Sequence, residues 1–346
     1  MTSTKFTRHL FSKLSSSGNH KLDTAVYETT VEERKKGWLD PSGPFSEKDL
    51  ADRLGPAFVI NRRFCVEQNS ESRAVDDYSA SFTNSAYGSP FKLDLGGVDQ
   101  IASVTKAIVY SIGDDRTVKF VLSDGSTLEG MLHPSLSIDL ARTLVGRTLD
   151  MSSAYRQLII SVASEWFSVV ATYNPNTGAT ELDLQNSLPF GATAAVYGFN
   201  RFSRAIWFVG VKLLSLIWFN FYDDFPHVDW AVMGTSSLDT SERFFELLGW
   251  DVSKKPTKRK PFCFLWDALG VTFDFVDTPK GLIKISNKTS RVAGIADTID
   301  VISKARNLSP REAESILGKV GFAESQTFNR MGSLALSELR TRASAT

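Results

Sequence analysis

The stretch that decides the fold reads LLSLIWFNFYDDFPHV and runs from residue 213 to 228. Apolar, aromatic and β-branched side chains lead up to Phe221 and Tyr222, two carboxylates follow at Asp223 and Asp224, and the chain then turns apolar again. This pattern predicts a strand, a tight turn and a second strand, with both carboxylates at the turn.

The two carboxylates of this turn are expected to lie close together above apolar strands. Like charges at that distance repel, and a bound cation would relieve the repulsion. A divalent metal is the simplest such cation. The other interpretation is an ordinary solvated Asp-Asp turn, and the pair alone leaves both open.

Length and composition are those of a soluble globular protein of two or three structural units. The chain has 346 residues, of which 42% are hydrophobic and 23% charged. Its formal net charge is zero. Any binding of nucleic acid must therefore come from local basic patches.

No signal in the sequence indicates a disulfide framework, a zinc site or a membrane span. Cys65 and Cys263 form no CxxC pair, and the four histidines are isolated. The N-terminus lacks the apolar core of a signal peptide. The apolar stretch 205–222 is interrupted by Lys212 and Asn220, which predicts the end of a buried helix followed by a core strand. We expect an intracellular protein, in the cytoplasm or the nucleus, with no membrane partner.

The remaining patterns predict a mixture of helices and hairpins. Residues 1–25 are rich in Ser, Thr and Lys and are predicted to be a disordered lead-in. Helices are predicted over residues 31–38, 46–54, 98–110 and 140–145, from 191 to about 211, from 239 to 249 and after Pro310. Hairpins are predicted over 58–75 and 118–132, a helix entering a strand over 158–171, and strands over 262–275 and 282–285.

Three motifs follow one another along the chain. LDMSSAYRQL spans residues 149–158, LPFG spans 188–191, and FYDD spans 221–224. Their order and spacing resemble motifs A, B and C of reverse transcriptases. The hairpin at residues 63–79 looks like the fingers segment, while LGW (248–250) and ALGV (268–271) stand where motifs D and E would. The resemblance covers residues from about 58 to 330 and is closest to retrotransposon polymerases of the DIRS-like group.

The resemblance implies an α+β fold, that of a right-hand polymerase with fingers, a palm of antiparallel sheet plus helices, and a short helical thumb. The implied divisions are N-terminal helices and fingers with an inserted β-hairpin over 26–145, a palm carrying motifs A to E over 146–285, and a helical thumb or connection over 286–346.

It also implies the catalytic and metal-binding residues. Nucleotide addition is an in-line displacement served by two divalent ions, which Mg²⁺ fits as a hard cation. We expect Asp150 and Asp223 to bind both Mg²⁺ ions, with Mn²⁺ as an alternative, and the Met151 carbonyl to complete one coordination sphere. Asp224 would be a weaker or indirect ligand. As an isolated residue, Asp150 could equally cap a strand end. The pairs Asp76-Asp77 and Asp114-Asp115 are interpreted as decoys, the first paired with arginines and the second in a polar turn.

The implied nucleotide-binding residues lie in motifs A and B and in the fingers hairpin. Tyr155 would exclude a ribose 2′-hydroxyl and so favour deoxynucleotides, although a plain core tyrosine remains the other interpretation. Phe190 and Gly191 would line the sugar and base pocket. Arg73 would contact the triphosphate, because a guanidinium matches phosphate oxygens. Arg62 or Arg63 would assist from the other arm of the hairpin, and a solvated surface charge is the other interpretation of either residue.

The implied function is RNA-directed DNA synthesis on a primed RNA or DNA template, with dNTPs as substrates and other domains of a retroelement polyprotein as partners. One lysine among Lys254, Lys255, Lys258 and Lys260 would protonate pyrophosphate, and the sequence does not decide which; a loop that contacts template phosphates is the alternative. Two other functions stay open. They are RNA-dependent RNA synthesis, which Tyr155 disfavours, and a polymerase-like nucleic-acid-binding protein without catalysis.

Overall fold

The computed structural model of the chain describes residues 3–12, 14–68, 71–325 and 333–345. Its helices are α1 (Ser3–Ser12), α2 (His20–Lys35), α3 (Glu47–Leu54), α4 (Thr83–Ala86), α5 (Val98–Tyr110), α6 (Ile138–Arg142), α7 (Thr193–Leu214), α8 (Gly234–Leu247), α9 (Thr289–Ala305), α10 (Pro310–Ser325) and α11 (Ser333–Ala343). Its strands are β1 (Ile60–Gln68), β2 (Glu71–Asp77), β3 (Thr117–Val121), β4 (Thr127–Met131), β5 (Leu144–Asp150), β6 (Val169–Tyr173), β7 (Thr180–Leu184), β8 (Asp224–Trp230), β9 (Leu265–Ala268), β10 (Val271–Asp274) and β11 (Lys284–Asn287).

The mixture of helices and sheets confirms the predicted α+β class. By packing, the chain divides into two compact units. The first comprises Met1–Asp94 and Met151–Ile206, and the second Leu95–Asp150 and Trp207–Thr346. This grouping places residues 95–150 with the second unit. The predicted divisions at residues 25, 145 and 285 stay a prediction.

The first unit is built on a four-stranded sheet of order β2-β1-β6-β7. The β1–β2 and β6–β7 pairs are antiparallel hairpins, whereas β1 and β6 run parallel. One face buries Leu50 of α3 against Ile60, Val169 and Leu184 of the sheet. This apolar face fixes the register of the hairpins, since a slip by one residue would expose it.

The second unit contains the antiparallel pair β5–β8, the sheet β11-β10-β9 and the hairpin β3–β4. Helix α5 packs its buried Ile101 and Ile108 into a core with Trp266 and Phe273. Gly146 of β5 and Cys263 exchange two backbone hydrogen bonds of 3.0 Å, which ties β5 to the segment entering β9. The pair β5–β8 is thereby held on a rigid apolar base.

Several predicted elements are confirmed. Helix α5 occupies residues 98–110 as predicted, and hairpin β3–β4 turns at Asp124-Gly125. Helix α3 begins after Ser46, whose side chain forms a capping box with Asp49. Helix α10 begins after Ser309, whose hydroxyl and backbone amide both donate to Glu312. Capping and turn chemistry are local, which is why the sequence predicts them well.

The N-terminal segment differs from the prediction. A disordered lead-in was expected over residues 1–25, whereas α1 and the first part of α2 lie within it. Asn19 caps α2, because its side chain accepts hydrogen bonds from the amides of Lys21 and Leu22. The helix predicted to begin at residue 31 therefore begins at His20 and ends at Lys35.

Three further boundaries need correction. Helix α8 begins at Gly234, and the supposed capping box at Asp239 lies inside it. The helix predicted over 140–145 ends at Arg142, and β5 follows from Leu144. The helical part of 158–171 is a 3₁₀ turn over Val162–Phe167 that precedes β6.

Over the described part of the chain, no helix combines the length and the apolar character that crossing a membrane requires. The apolar stretch at 205–222 is the end of α7, as the sequence predicted, but the core strand predicted after it is replaced by a segment without regular strand structure.

Candidate active site

The structure brings Asp150 and Asp224 together in the second unit. Asp150 ends β5 and Asp224 begins β8, and in the antiparallel register the two residues stand directly opposite each other. The adjacent apolar pair, Leu149 and Phe225, is buried. Buried strands therefore carry the carboxylates to one end of the β5–β8 pair.

A two-residue turn places Asp223 beside them. The backbone groups of Phe221 and Asp224 exchange two hydrogen bonds, 2.9 and 3.0 Å long, which close the turn around Tyr222 and Asp223. Tyr222 has a φ of 53°, a left-handed conformation that is strained for a residue with a bulky side chain. The Asn220 side chain donates a 3.2 Å hydrogen bond to the Tyr222 carbonyl and supports this conformation.

The first arm of this predicted hairpin is less regular than expected. Residues 215–221 form two isolated bridges, Trp218 with His227 and Phe221 with Asp224, in place of a continuous strand. Trp218 instead packs its indole against Gly210 of α7, where a Cβ would come within 2.1 Å of the ring. Side-chain packing on the helix takes precedence here over regular strand pairing.

The three carboxylates interact electrostatically. Burial, together with the negative charges of Asp223 and Asp150, raises the pKa of Asp224 to about 7, and the positive charges of Lys258 and Lys288 oppose this shift. Excess negative charge of this kind favours a cation nearby.

One lysine of the basic loop at residues 254–260 contacts the carboxylate cluster. The Lys258 ammonium group donates hydrogen bonds of 2.8 and 2.9 Å to the two carboxylate oxygens of Asp150. The sequence left the choice open among Lys254, Lys255, Lys258 and Lys260. The structure places Lys258 on the carboxylate.

The donor chemistry at this end of β5–β8 suits Mg²⁺, since all three side chains offer hard oxygen atoms. Within residues 3–12, 14–68, 71–325 and 333–345, no three His, Cys, Asp or Glu side chains are already arranged as a metal site. Ligation by the predicted aspartates and by the carbonyl of Met151, whose side chain is buried, stays a prediction.

The predicted nucleotide-selecting residues lie in the first unit. Tyr155 is buried, stacks on Phe199 at 4.6 Å between ring centroids, and meets Phe190 at 5.0 Å. Phe190 itself is 41% exposed. The structure therefore brings Tyr155 and Phe190 into contact, as the predicted pocket requires.

Gly191 follows Phe190 at a point where the backbone of β2 comes very close. A Cβ at Gly191 would lie 2.1 Å from the Asp76 carbonyl oxygen, and the φ of Gly191 is +102°. The Asn84 side chain holds the same turn from the other side. It donates 2.9 Å to the Gly191 carbonyl and accepts 2.8 Å from the amide of Thr193, where α7 begins.

The two arginines of the fingers hairpin have different environments. Arg73 lies on β2 with an exposed side chain, compatible with its predicted contact to a triphosphate. Arg63 does not fit its predicted role. Its side chain is 0% exposed and its guanidinium is bound by Asp76 and Glu33, so a substrate phosphate has no access to it.

Both carboxylate pairs that were interpreted as decoys are engaged elsewhere. Asp76 and Asp77 pair with Arg63 and Arg62 across the β1–β2 hairpin. Asp115 accepts hydrogen bonds from Thr117 in a polar turn.

No family model matches the chain, and no curated protein sequence matches it. Among solved structures, it is similar to the foamy viral protease-reverse transcriptase dRH in complex with ds DNA, with a TM-score of 0.59 and 14% sequence identity. The fold is reverse-transcriptase-like. The match covers 93% of this chain and 44% of that chain, so the present chain spans less than half the length of that protein.

Within this reverse-transcriptase-like fold, sequence reasoning missed three residues that shape the predicted site. Lys258 was one of four indistinguishable lysines. Asn84 follows the fingers hairpin in the sequence, and its position as the partner of Gly191 depends on the fold. Gln185 carried no signal at all, yet its buried amide bridges Asp76 and Arg156.

Proposed function

We propose that the chain is the polymerase part of an RNA-directed DNA polymerase, one that adds deoxynucleotides to the 3′-hydroxyl of a primer. One observation carries the proposal: Asp150, Asp223 and Asp224 are gathered at the end of the β5–β8 pair. Clustered carboxylates are what metal-assisted phosphoryl transfer requires. The reverse-transcriptase-like fold supports the proposal, and the motifs favour a DIRS-like retrotransposon origin with fingers, palm and thumb subdomains.

The three carboxylates would hold two Mg²⁺ or Mn²⁺ ions. When bound, such ions stabilise the charge on both the attacking and the leaving oxygen atoms. The Met151 carbonyl would contribute to one of the two positions. The chain supplies this cluster on buried strands, and the Lys258 ammonium group, which bonds both oxygens of Asp150, would have to move aside when the ions bind.

In the proposed reaction, a bond forms between the primer 3′-oxygen and the α-phosphorus, and the bond from that phosphorus to the bridging oxygen of pyrophosphate breaks. The 3′-hydroxyl gives its proton to a solvent water molecule, and the leaving pyrophosphate gains a proton from a lysine ammonium group. We assign the second proton transfer to Lys258, because its ammonium group already lies at the carboxylate cluster. The other lysines of the loop would contact template phosphates.

Nucleotide choice would rest on residues of the first unit. The rigid, buried ring of Tyr155 would leave no room for a ribose 2′-hydroxyl, which favours dNTPs over rNTPs. Phe190 and Gly191 would line the same pocket. Arg73 would bind the triphosphate, since its planar guanidinium can donate two parallel hydrogen bonds to phosphate oxygens.

The test is primer extension on an RNA template with Mg²⁺ or Mn²⁺ and either dNTPs or rNTPs. We expect dNTP incorporation by the natural sequence, and a loss of at least about 100-fold in Asp223→Asn, because an amide cannot supply the anionic oxygen that the cluster needs. Asp115→Asn is the matched control. Its side-chain oxygen still accepts from Thr117, so extension should be unchanged.

Two other outcomes of the primer-extension experiment would contradict the proposal, and each would indicate a different function. Preference for rNTPs by the natural sequence would indicate an RNA-dependent RNA polymerase. Binding of primed template without extension under either metal would indicate a nucleic-acid-binding protein that has lost catalysis.

A further inference from the structure

A closed ring of buried polar side chains lies in the first unit. Its five members are Glu33 of α2, Arg63 of β1, Asp76 of β2, Arg156, and Gln185 just after β7. All five are buried, at 6% exposure or less. Unsatisfied groups in a buried polar network cost stability, and among the described residues Arg156 Nε is the one nitrogen of this ring without a hydrogen-bond partner.

The ring closes through hydrogen bonds between successive members. Arg63 donates to Asp76 at 2.7 Å and to Glu33 at 2.8 Å. Arg156 donates to Glu33 at 2.9 Å and to the Gln185 amide oxygen at 2.7 Å. The amide nitrogen of Gln185 donates to Asp76 at 2.8 Å and completes the circuit. The two arginines thus balance the charges of Glu33 and Asp76. The neutral amide of Gln185 links Asp76 to Arg156.

Two members of the ring also touch the predicted sugar pocket. The Asp76 amide donates a 3.4 Å hydrogen bond to the Phe190 carbonyl, and the Asp76 carbonyl oxygen is the atom against which Gly191 packs. Arg156 directly follows Tyr155, and its guanidinium carbon lies 5.7 Å from the centre of the Phe190 ring. The ring therefore connects the segment that carries Tyr155 to the turn that carries Phe190 and Gly191.

We propose that this ring is a positioning device for nucleotide selection. It fixes the Tyr155 segment and the Phe190-Gly191 turn relative to each other, so that the pocket keeps the width that excludes a 2′-hydroxyl. The members act through Tyr155 and Phe190 and do not touch substrate. This inference rests on the proposed polymerase function for its substrate, and on the geometry of the first unit alone for its mechanics.

The decisive variant is Gln185→Met. It removes the link between Asp76 and Arg156 while leaving both arginines paired with acids, so the fold should survive. The matched control is Asn61→Leu, which removes another buried amide of the same unit. Asn61 bonds to the carbonyls of Phe167 and Val169 and to Ser81, outside the ring.

Two readouts are needed. The first is the ratio of kcat/KM for a dNTP over the matching rNTP, which should fall about tenfold in Gln185→Met through better use of the rNTP, because small displacements of positioning groups have effects of this size or larger. The second is hydrogen exchange of peptides covering residues 151–158 and 188–195. Exchange should rise in both peptides in Gln185→Met and in neither in Asn61→Leu.

The two readouts separate failure of this inference from failure of the proposed function. Unchanged exchange in both peptides, or an equal rise in Asn61→Leu, would overturn the positioning role even in an active polymerase. If the natural sequence extends no primer, the polymerase proposal fails while the exchange readout still tests the ring. Should Gln185→Met not fold, Gln185→Asn, whose amide is one methylene too short to bridge both partners, serves in its place.

Discussion

At the scale of single residues, Gly191 tolerates little change. Its left-handed backbone conformation strains any other residue, and an added Cβ would overlap the Asp76 carbonyl oxygen at 2.1 Å. We expect Gly191→Ala to lower the free energy of unfolding by about 1–3 kcal/mol, the range typical of residues forced into such conformations. Primer extension should fall with it, because the displaced turn carries Phe190.

Gly198→Ala is the control for this prediction. Gly198 lies inside α7, and the atom nearest to an added Cβ, Leu188 Cδ1, is 3.9 Å away. Alanine should therefore stabilise the helix by about 0.5–1 kcal/mol. Urea denaturation of both variants measures the two opposite signs. A Gly191→Ala variant as stable as the natural chain would contradict the crowding argument.

Some side-chain positions could be predicted from the sequence and others could not. The proximity of Asp150 to Asp223 and Asp224 follows from the motif pattern, and the structure has it. The roles of Arg63 and Lys258 do not follow. Arg63 is buried by Glu33, a residue from a helix thirty positions earlier in the chain. Lys258 is distinguished from Lys254, Lys255 and Lys260 by its ion pair with Asp150. Both facts depend on tertiary distances that leave no local signature.

At the scale of elements, β5 depends on its close approach to β9. A Cβ at Gly146 would lie 2.1 Å from the indole of Trp266, and the backbone of Gly146 is fixed on Cys263 as well as in the β5–β8 pair. We expect Gly146→Ala to destabilise the protein by about 1–3 kcal/mol, as overpacking of a rigid core does. Because β5 ends in Asp150, extension activity should decline too.

A double-mutant cycle with Trp266→Leu tests the cause. The smaller side chain makes room for the added methyl group, so the double variant should be more stable than the sum of the single effects predicts. Gly130→Ala in β4, where an added Cβ meets no atom within 4 Å, serves as the control. Additive effects in the cycle would show that the indole is not what Gly146 accommodates.

Element boundaries illustrate the limit of local patterns. The start of α10 and the extent of α5 are predicted correctly because caps and periodicity lie within the element itself. The start of α8 is missed because the N-cap residue, Met233, makes no side-chain cap, and the helix begins at Gly234, where an added Cβ would lie 3.3 Å from Phe262. Tertiary packing overrides local preference at such positions.

At the scale of the whole molecule, the stability of the fold should depend on the protonation of one buried histidine. Burial, with the positive charge of Arg147 beside it, lowers the pKa of His227 to about 3. Neither ring nitrogen has a hydrogen-bond partner among the described residues, and the nearest carboxylate oxygen, on Asp229, is 4.0 Å away. The ring instead packs against Phe262. The folded state therefore holds His227 neutral.

The sign of the pH effect follows from the unfolded chain, in which histidine has its ordinary pKa near 6.5. Between that value and about 3, the unfolded state binds a proton that the folded state does not. Stability is thus retained above pH 6.5 and lost as the pH falls through this window, by about 1.4 kcal/mol for each pH unit. We expect a contribution of roughly 2–3 kcal/mol between pH 6.5 and 4.5 from this group.

His227→Phe removes the titrating ring while keeping an aromatic side chain against Phe262. Guanidinium denaturation at pH 6.5, 5.5 and 4.5 should show a shallower loss of stability in this variant than in the natural chain, since carboxylates titrate equally in both. His133→Phe, the same change at an exposed histidine, should leave the slope as it is. Parallel slopes for the natural chain and His227→Phe would mean that the ring is already protonated, or accessible to protons, in the folded protein. In that case water would reach the core beneath the β5–β8 carboxylates, and Asp150 and Asp224 would not stand on a rigid apolar base.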